Sequence, residues 1–193
     1  MTQSQRLVVG VSGASGMIYA QRLLLAAKAA GCETHVVVSR AAKMTMAYEL
    51  GENVSLEGVD HLYGISDVGA PISSGSFETL GMVIVPCSVR TMSEIATGVT
   101  STLLTRAADV CLKERRTLSL MVRETPLHLG HLRTLTQLAE MGAVIAPPLP
   151  AFYAEPKTIE ELVDQSVGRV LDMFGVSVPG VKRWGEDLEK GRR

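Results

Sequence analysis

Arg106, Lys113 and Arg123 stand in the one stretch of this sequence where positive charge accumulates. Between positions 106 and 133 there are six basic residues, Arg106, Lys113, Arg115, Arg116, Arg123 and Arg133, against Asp109, Glu114 and Glu124, a local balance of +3 in a chain whose net charge is -1. Arg106 and Lys113 are seven residues apart, about two turns at roughly 3.6 residues per turn, so on a helix they project from one side. Arginine offers bidentate contacts and lysine a point charge, which together suit a phosphate. Pairing of these cations with Asp109 and Glu114 on a solvated helix is the competing reading, and it accounts best for Arg115 and Arg116. Glu124, beside Arg123, is either one half of an ion pair or a carboxylate that handles protons, and Glu49 has the same ambiguity.

A second group of small residues could cradle a ligand. Glycines at 10, 13 and 16 flank Ser12, Ala14 and Ser15, but this is not the G-x-G-x-x-G of dinucleotide enzymes. The acidic residue that holds a ribose about 20 residues further on is also missing, because that segment ends Val38-Ser39-Arg40. Hydroxyls and amides of this kind suit a phosphate or a flavin edge. The run Pro86-Cys87-Ser88-Val89-Arg90-Thr91 adds two hydroxyls and a cation before a helical turn, where an anion could dock or where Ser88 and Thr91 could simply cap. No neighbouring base activates Cys87, which reads as a buried thiol. His128 and His131 have a helical spacing that two metal ligands could use, but no third ligand accompanies them and no metal is expected.

The elements that position these residues follow from apolar patterning. Leu7–Val11, Glu33–Val38, Met82–Val85, Leu118–Val122 and Val144–Ala146 read as strands, and Ile18–Ala30, Ala41–Leu50, Met92–Ala96, Thr102–Glu114, Gly130–Met141 and Ile159–Phe174 as helices. Strand and helix alternate, so a mainly parallel, doubly wound α/β sheet is expected, with ligands beyond the carboxyl ends of its strands. Residues 51–80, rich in glycine and serine, are expected to form a long connection, and 175–193 a C-terminal arm on a single domain spanning 1–193.

Composition narrows the function classes. With 46% hydrophobic and 20% charged residues the chain can bury a substantial core. Its near-neutral balance, 19 basic against 20 acidic residues, provides no global field for nucleic acid or a membrane surface. Three cysteines without a CxxC pair fit a reducing cytoplasm. No apolar run approaches the roughly 18 residues of a membrane span. Aromatic residues are few, so Phe152-Tyr153 after a proline run and Trp184 near the end stand out as walls for an apolar substrate or a cation.

Taken in order, Gly13-Ala14-Ser15-Gly16, Ser39, Ser73-Ser74-Gly75-Ser76, Pro86-Cys87-Ser88, Arg106-Ala107-Ala108-Asp109-Val110, Leu112-Lys113-Glu114-Arg115-Arg116, Arg123-Glu124-Thr125-Pro126-Leu127 and Pro150-Ala151-Phe152-Tyr153 resemble the flavin prenyltransferases of the UbiX type. The resemblance extends to Arg183-Trp184-Gly185. It implies a Rossmann-like, flavodoxin-like domain that joins a dimethylallyl group from dimethylallyl phosphate to N5 and C6 of reduced FMN, making prenylated FMN for a UbiD-type decarboxylase. By position it implies that Gly13, Ala14, Ser15, Ser39, Ser88, Val89, Arg90, Thr91 and Arg123 bind FMN. Arg106, Lys113, Arg123, Tyr153, Arg169 and Trp184 would hold the prenyl phosphate, with Lys113 steadying the departing phosphate and Glu49, Glu124 and Ser15 moving protons. It further implies a cytoplasmic homo-oligomer, a dodecamer, that needs no metal. The cysteine decarboxylases on a related flavoprotein fold are a weaker match, since their Pro-x-Met-Asn motif is missing here.

Overall fold

The computed structural model describes residues 5–52 and 54–186. The expectations that fall on 1–4 and 187–193, including the end of the C-terminal arm, lie outside the described residues. Six strands, β1 (Arg6–Val11), β2 (Glu33–Val38), β3 (His61–Tyr63), β4 (Gly81–Cys87), β5 (Thr117–Val122) and β6 (Val144–Ile145), form one sheet in the order β3-β2-β1-β4-β5-β6. Every pairing is parallel. The helices are α1 (Met17–Ala29), α2 (Arg40–Glu49), α3 (Val89–Ala96), α4 (Leu103–Lys113), α5 (Leu129–Glu140) and α6 (Ile159–Leu171). None is long and apolar enough to cross a membrane.

Both faces of the sheet are covered, which is why its strands read as continuous apolar runs instead of an alternation. Leu7, Val9 and Val11 point to one side, against Leu23 and Leu24 of α1, Met46 of α2 and Val163 and Val167 of α6. Val8, Met82, Ile84, Leu118 and Leu120 point to the other, against Met92 of α3, Leu104 and Ala107 of α4 and Leu138 of α5. Alternate residues of β1 thus feed two separate cores, as the two-residue period of a strand requires.

Strand order locates the crevice. The chain winds outward from β1 to β3 and then returns to place β4 on the other side of β1, so the loops after β1 and β4 diverge. Ser12, 1% exposed, joins them: its hydroxyl donates to the Pro86 carbonyl at 2.9 Å and accepts from the Ser88 amide at 2.8 Å. The serine that spoils a dinucleotide motif is therefore the pin that holds this crevice to a fixed width.

Two expectations are corrected. Residues 51–80 are more than a connection, because His61–Tyr63 adds a sixth strand and Pro71–Ser73 a 3₁₀ turn. The strand is only three residues long, and its one aliphatic residue, Leu62, is exposed, so it lacks the apolar signature of a buried strand. The segment from Gly175 through Arg183 also folds back onto α6. Val176 and Val181 are buried, Gln165 exchanges hydrogen bonds with the backbone of Lys182, and Arg183 forks onto Asp172 at 2.8 and 3.0 Å.

Replacing Ser12 with Ala leaves the half-buried Ser88 amide without its partner. The expected loss is about 1–3 kcal/mol of unfolding free energy, read by urea denaturation.

Candidate active site

Five helices begin near the carboxyl edge of the sheet or its loops, and four of those begin on a side-chain cap. Ser39 accepts from the Ala42 amide at 3.1 Å, Ser88 from Thr91 at 3.3 Å, Thr102 from Thr105 at 3.2 Å and His128 from His131 at 3.3 Å. The fifth, α1, is the exception. Its cap is Gly16, in the left-handed conformation at φ 110°, with no side chain to offer. The free amides there are taken by a residue 33 positions away: Glu49, at the end of α2, accepts from Gly16 at 2.9 and 3.1 Å and from Met17 at 2.7 Å.

Around that carboxylate the chain gathers Ser15, Tyr19 and Arg123. Burial pushes the Glu49 carboxyl up, but the Met17 amide, the Ser15 hydroxyl, the Gly16 amide and the charge of Arg123 outweigh it and hold the group below the usual carboxylate range. Arg123, leaving the end of β5, donates from Nε to the Ser15 carbonyl at 3.2 Å. Burial raises the Tyr19 hydroxyl against the opposing charge of Arg123. Glu124 faces outward, where its carboxylate accepts from the Thr125 amide at 3.0 Å. Ser15, Glu49 and Arg123 are thus brought together within one chain, while Glu124 is exposed and bound to the Thr125 amide.

Beside this cluster lies a cleft of about 340 Å³ lined by Gly13, Ser39, Arg40, Ser88, Arg90, Thr91, Thr102 and Thr105. It collects the amino ends of α2, α3 and α4; the Ser39 hydroxyl, which only accepts its capping hydrogen bond, has a proton to donate to an anion, whereas Ser88 already donates to Thr91 Oγ1 at 3.1 Å. Gly13 closes the wall: a Cβ there would stand 2.4 Å from the Ala41 Cβ, so only glycine lets the loop approach α2. Such a cleft fits a phosphate-bearing flavin by donor chemistry, since it provides hydroxyls, amides and Arg40, with Arg90 paired at 2.9 Å to Glu94, a carboxylate that also lines it. Ser66, Ser101, Thr102 and Thr105 also line it. Ser66 follows the short strand β3, which has no apolar signature, and Ser101, Thr102 and Thr105 follow no strand, although the T-x-x-T spacing of a capping pair was available as a signal. A larger cavity, about 680 Å³, lies between α1, α6 and residues 178–182, but its polar groups are engaged already, Arg22 with Asp164 and Gln165 with Lys182.

The basic stretch does not converge on this cleft as one cluster. Arg106 and Lys113 do share a side of α4, as their spacing implies, and both reach the 73–75 segment: Arg106 donates to the Ser73 carbonyl at 3.2 Å and Lys113 lies against Gly75. Arg106 also pairs with Asp109 at 2.7 Å and Lys113 with Glu114. Lys113 ends a helix whose amino end lines the cleft, so about 16 Å of helix separates the two. The carboxylates assigned to Arg115 and Arg116 are therefore used by Arg106 and Lys113. Arg116, for its part, is a strut and not a solvated charge, donating to the carbonyls of Phe77 at 2.7 Å and Gly75 at 2.5 Å.

A third group gathers on α6 and the segments packed on it. Tyr153 and Trp184 meet edge to face at 5.6 Å, the Gln165 amide reaches the Tyr153 hydroxyl at 3.4 Å, and Arg169 pairs with Asp172 at 2.7 Å. Arg169 also lines a small apolar cavity of about 180 Å³ with Met121, Pro147 and Leu149, beyond the ends of β5 and β6. Cys87 is fully buried and its thiol is pushed up to about 12, which removes it as a nucleophile at neutral pH.

Comparison with known proteins adds context to this geometry. A family model described as Flavoprotein matches residues 1–171. The flavin prenyltransferase UbiX of Thauera aromatica is 54% identical over 187 residues, covering 96% of each chain. Among solved structures, AnUbiX (PadA1) in complex with FMN and dimethylallyl pyrophosphate superposes with a TM-score of 0.90 at 43% identity, covering 94% of this chain and 98% of that one. A dodecameric FMN-dependent UbiX-like decarboxylase from Escherichia coli O157:H7 gives 0.88 at 42% identity, covering 93% and 99%.

Loss of the Glu49 charge should appear as a pH-dependent stability difference. Because its folded pKa is depressed, the contribution is complete above the unfolded carboxyl's value and is lost as pH falls through the folded one. Glu49→Gln is expected to cost about 0.5–1 kcal/mol near pH 7, the lower part of the helix-terminus range because the residue is exposed. Urea titrations of both proteins should converge once pH has fallen through the folded carboxyl's depressed pKa; a difference that persists in acid beyond that point would contradict a charge-based cap.

Proposed function

The chain belongs to the flavoprotein family, among the flavin prenyltransferases of the UbiX type, and from that membership and its site we propose how it works. It is a prenyltransferase with FMN as its flavin. The reading rests above all on one observation, the Glu49 carboxylate fixed at the amino end of α1 beside Ser15 and Arg123 and next to a hydroxyl-lined cleft. We assign the donor as dimethylallyl phosphate, the new bonds as those to N5 and C6, and the product's destination as a UbiD-type decarboxylase in the cytoplasm.

Gly13, Ala14, Ser15, Ser39, Ser88, Val89, Arg90, Thr91 and Arg123 bind FMN in this reading, with the phosphate served by hydroxyls and helix amides of the cleft. Reduced FMN, when bound, supplies the electron-rich ring positions that take up the dimethylallyl group. Arg106, Lys113, Arg123, Arg169 and Tyr153 hold the prenyl phosphate. As its C–O bond breaks, negative charge grows on the phosphate, and fixed cations stabilise that state more than the ground state. Tyr153 and Trp184, already paired edge to face, supply a π-rich wall for the allylic cation. Glu49 is held ionised, so it stabilises developing positive charge and accepts a strongly acidic proton; Ser15 donates to it, and Glu124, on the outer side of Arg123, relays protons toward solvent.

The distance between Lys113 and the cleft has a direct solution if neighbouring copies share sites. Exposed apolar residues on α2, Met44 and Tyr48, and on α5, Leu129 and Leu132, provide surfaces for self-association. We propose a homo-oligomer, a dodecamer like the Escherichia coli O157:H7 relative, in which Arg106 and Lys113 of one copy face Glu49 of another.

Two single variants and their mixture test this arrangement. Glu49→Gln and Lys113→Ala should each retain FMN yet lose at least about 100-fold in formation of the C5-extended flavin, the scale of a lost acid–base or charge-stabilising group. Full turnover by either refutes its role. Co-expressed in mixed oligomers they should recover activity, because some sites receive both intact residues. Inactive mixed oligomers would place both groups in one chain.

A further inference from the structure

Away from the flavin cleft, the start of β2 and the edge strand β3 bring together three ligating side chains that lie up to 28 positions apart in sequence. The parallel register pairs His35 with His61, and Glu33 lies two residues before His35 on the same face of β2. Glu33 Oε1 stands 3.1 Å from His61 Nε2 and 3.3 Å from His35 Nε2, and the three ligating atoms all lie within 4.8 Å of one another. A tetrahedral zinc ion with bonds of about 2.0–2.1 Å requires ligand atoms about 3.3 Å apart, which matches both carboxylate–imidazole separations.

His35 is what makes this more than a surface cluster. It is 2% exposed, and its Nε2 is a buried nitrogen with no aligned hydrogen-bond partner, aimed at the carboxylate of Glu33. Its other ring nitrogen, Nδ1, sits 2.8 Å from the Tyr63 hydroxyl, the outer contact that fixes ring orientation in metal-ligating histidines. Phe77 closes the inner side at 5.1 Å, edge to face, while His61, stacked on His35 at 4.6 Å, opens to solvent. Arg6 lies 3.4 Å from the other carboxylate oxygen, Oε2, and its charge limits the affinity for a cation.

We propose that Glu33, His35 and His61 form a binding site for one zinc-class divalent cation, whose role is to clamp the short edge strand β3 to β2. Two imidazoles and a carboxylate with an open fourth position select zinc or cobalt over magnesium or calcium, which prefer all-oxygen shells. His128 and His131 carry a helical spacing visible in the sequence, whereas Glu33, His35 and His61 come together through a strand pairing that spacing does not reveal.

The test uses the full-length, tag-free, FMN-loaded protein after chelator treatment. Titration with cobalt(II) should produce visible d–d bands that saturate at one ion per chain with micromolar affinity, and zinc should abolish them. Zinc should also raise the thermal midpoint. His61→Asn, an exposed change that does not endanger folding, and Glu33→Gln should each weaken binding at least tenfold, whereas His128→Asn should bind as the parent does. The proposal is overturned if the parent shows no such bands, or if His61→Asn and Glu33→Gln bind cobalt like the parent.

Discussion

The Glu49 carboxylate seated on the first amides of α1 is the interaction on which the rest of the site depends. In most dinucleotide folds that helix end is where the ligand's phosphates dock. Here the chain supplies its own anion, with contacts of 2.7–3.1 Å, so a phosphate must go elsewhere. Neighbouring ground rich in donors is the cleft under the amino ends of α2, α3 and α4. In the function proposed above, one internal carboxylate separates the place for proton and cation chemistry from the place for phosphate binding, and Ser12 links the two loops that carry them.

Charge in the single chain is held in reserve. Arg106 and Lys113 are balanced by Asp109 and Glu114, all four side chains between about a third and a half exposed. Ion pairs of that kind contribute only about 0–1 kcal/mol, so a dianionic phosphate can replace the carboxylates at little cost. Arg116 differs, because it holds two backbone carbonyls of the 75–77 segment and cannot be released without loosening that loop. Fixed struts and exchangeable cations thus alternate along one helix and its exit, which suits a substrate that arrives between copies of the chain.

Sequence reading succeeded where the signal was local. The strands β1, β2, β4 and β5 announced themselves through apolar, β-branched runs, Ser39 through its position before a helix, and the shared side of Arg106 and Lys113 through helical spacing. It failed where the decisive partner is remote. Nothing near Glu49 marks it as the cap of a helix 32 positions upstream, and nothing near His61 marks it as the neighbour of His35. The short strand β3 escaped because an exposed edge strand needs no apolar pattern, and the docking of residues 175–183 because it rests on scattered partners, Gln165 and Asp172, instead of a periodic face. The family resemblance named residues for the site, but only the fold shows that they fall into separate groups within one chain.

The most direct measurement is the mass of the flavin released after anaerobic incubation of the protein with reduced FMN and dimethylallyl phosphate, run in parallel with the pyrophosphate ester. The account requires FMN extended by one C5H8 unit, formed with the monophosphate and accompanied by free phosphate. Unmodified FMN, with binding of both substrates established, would contradict it.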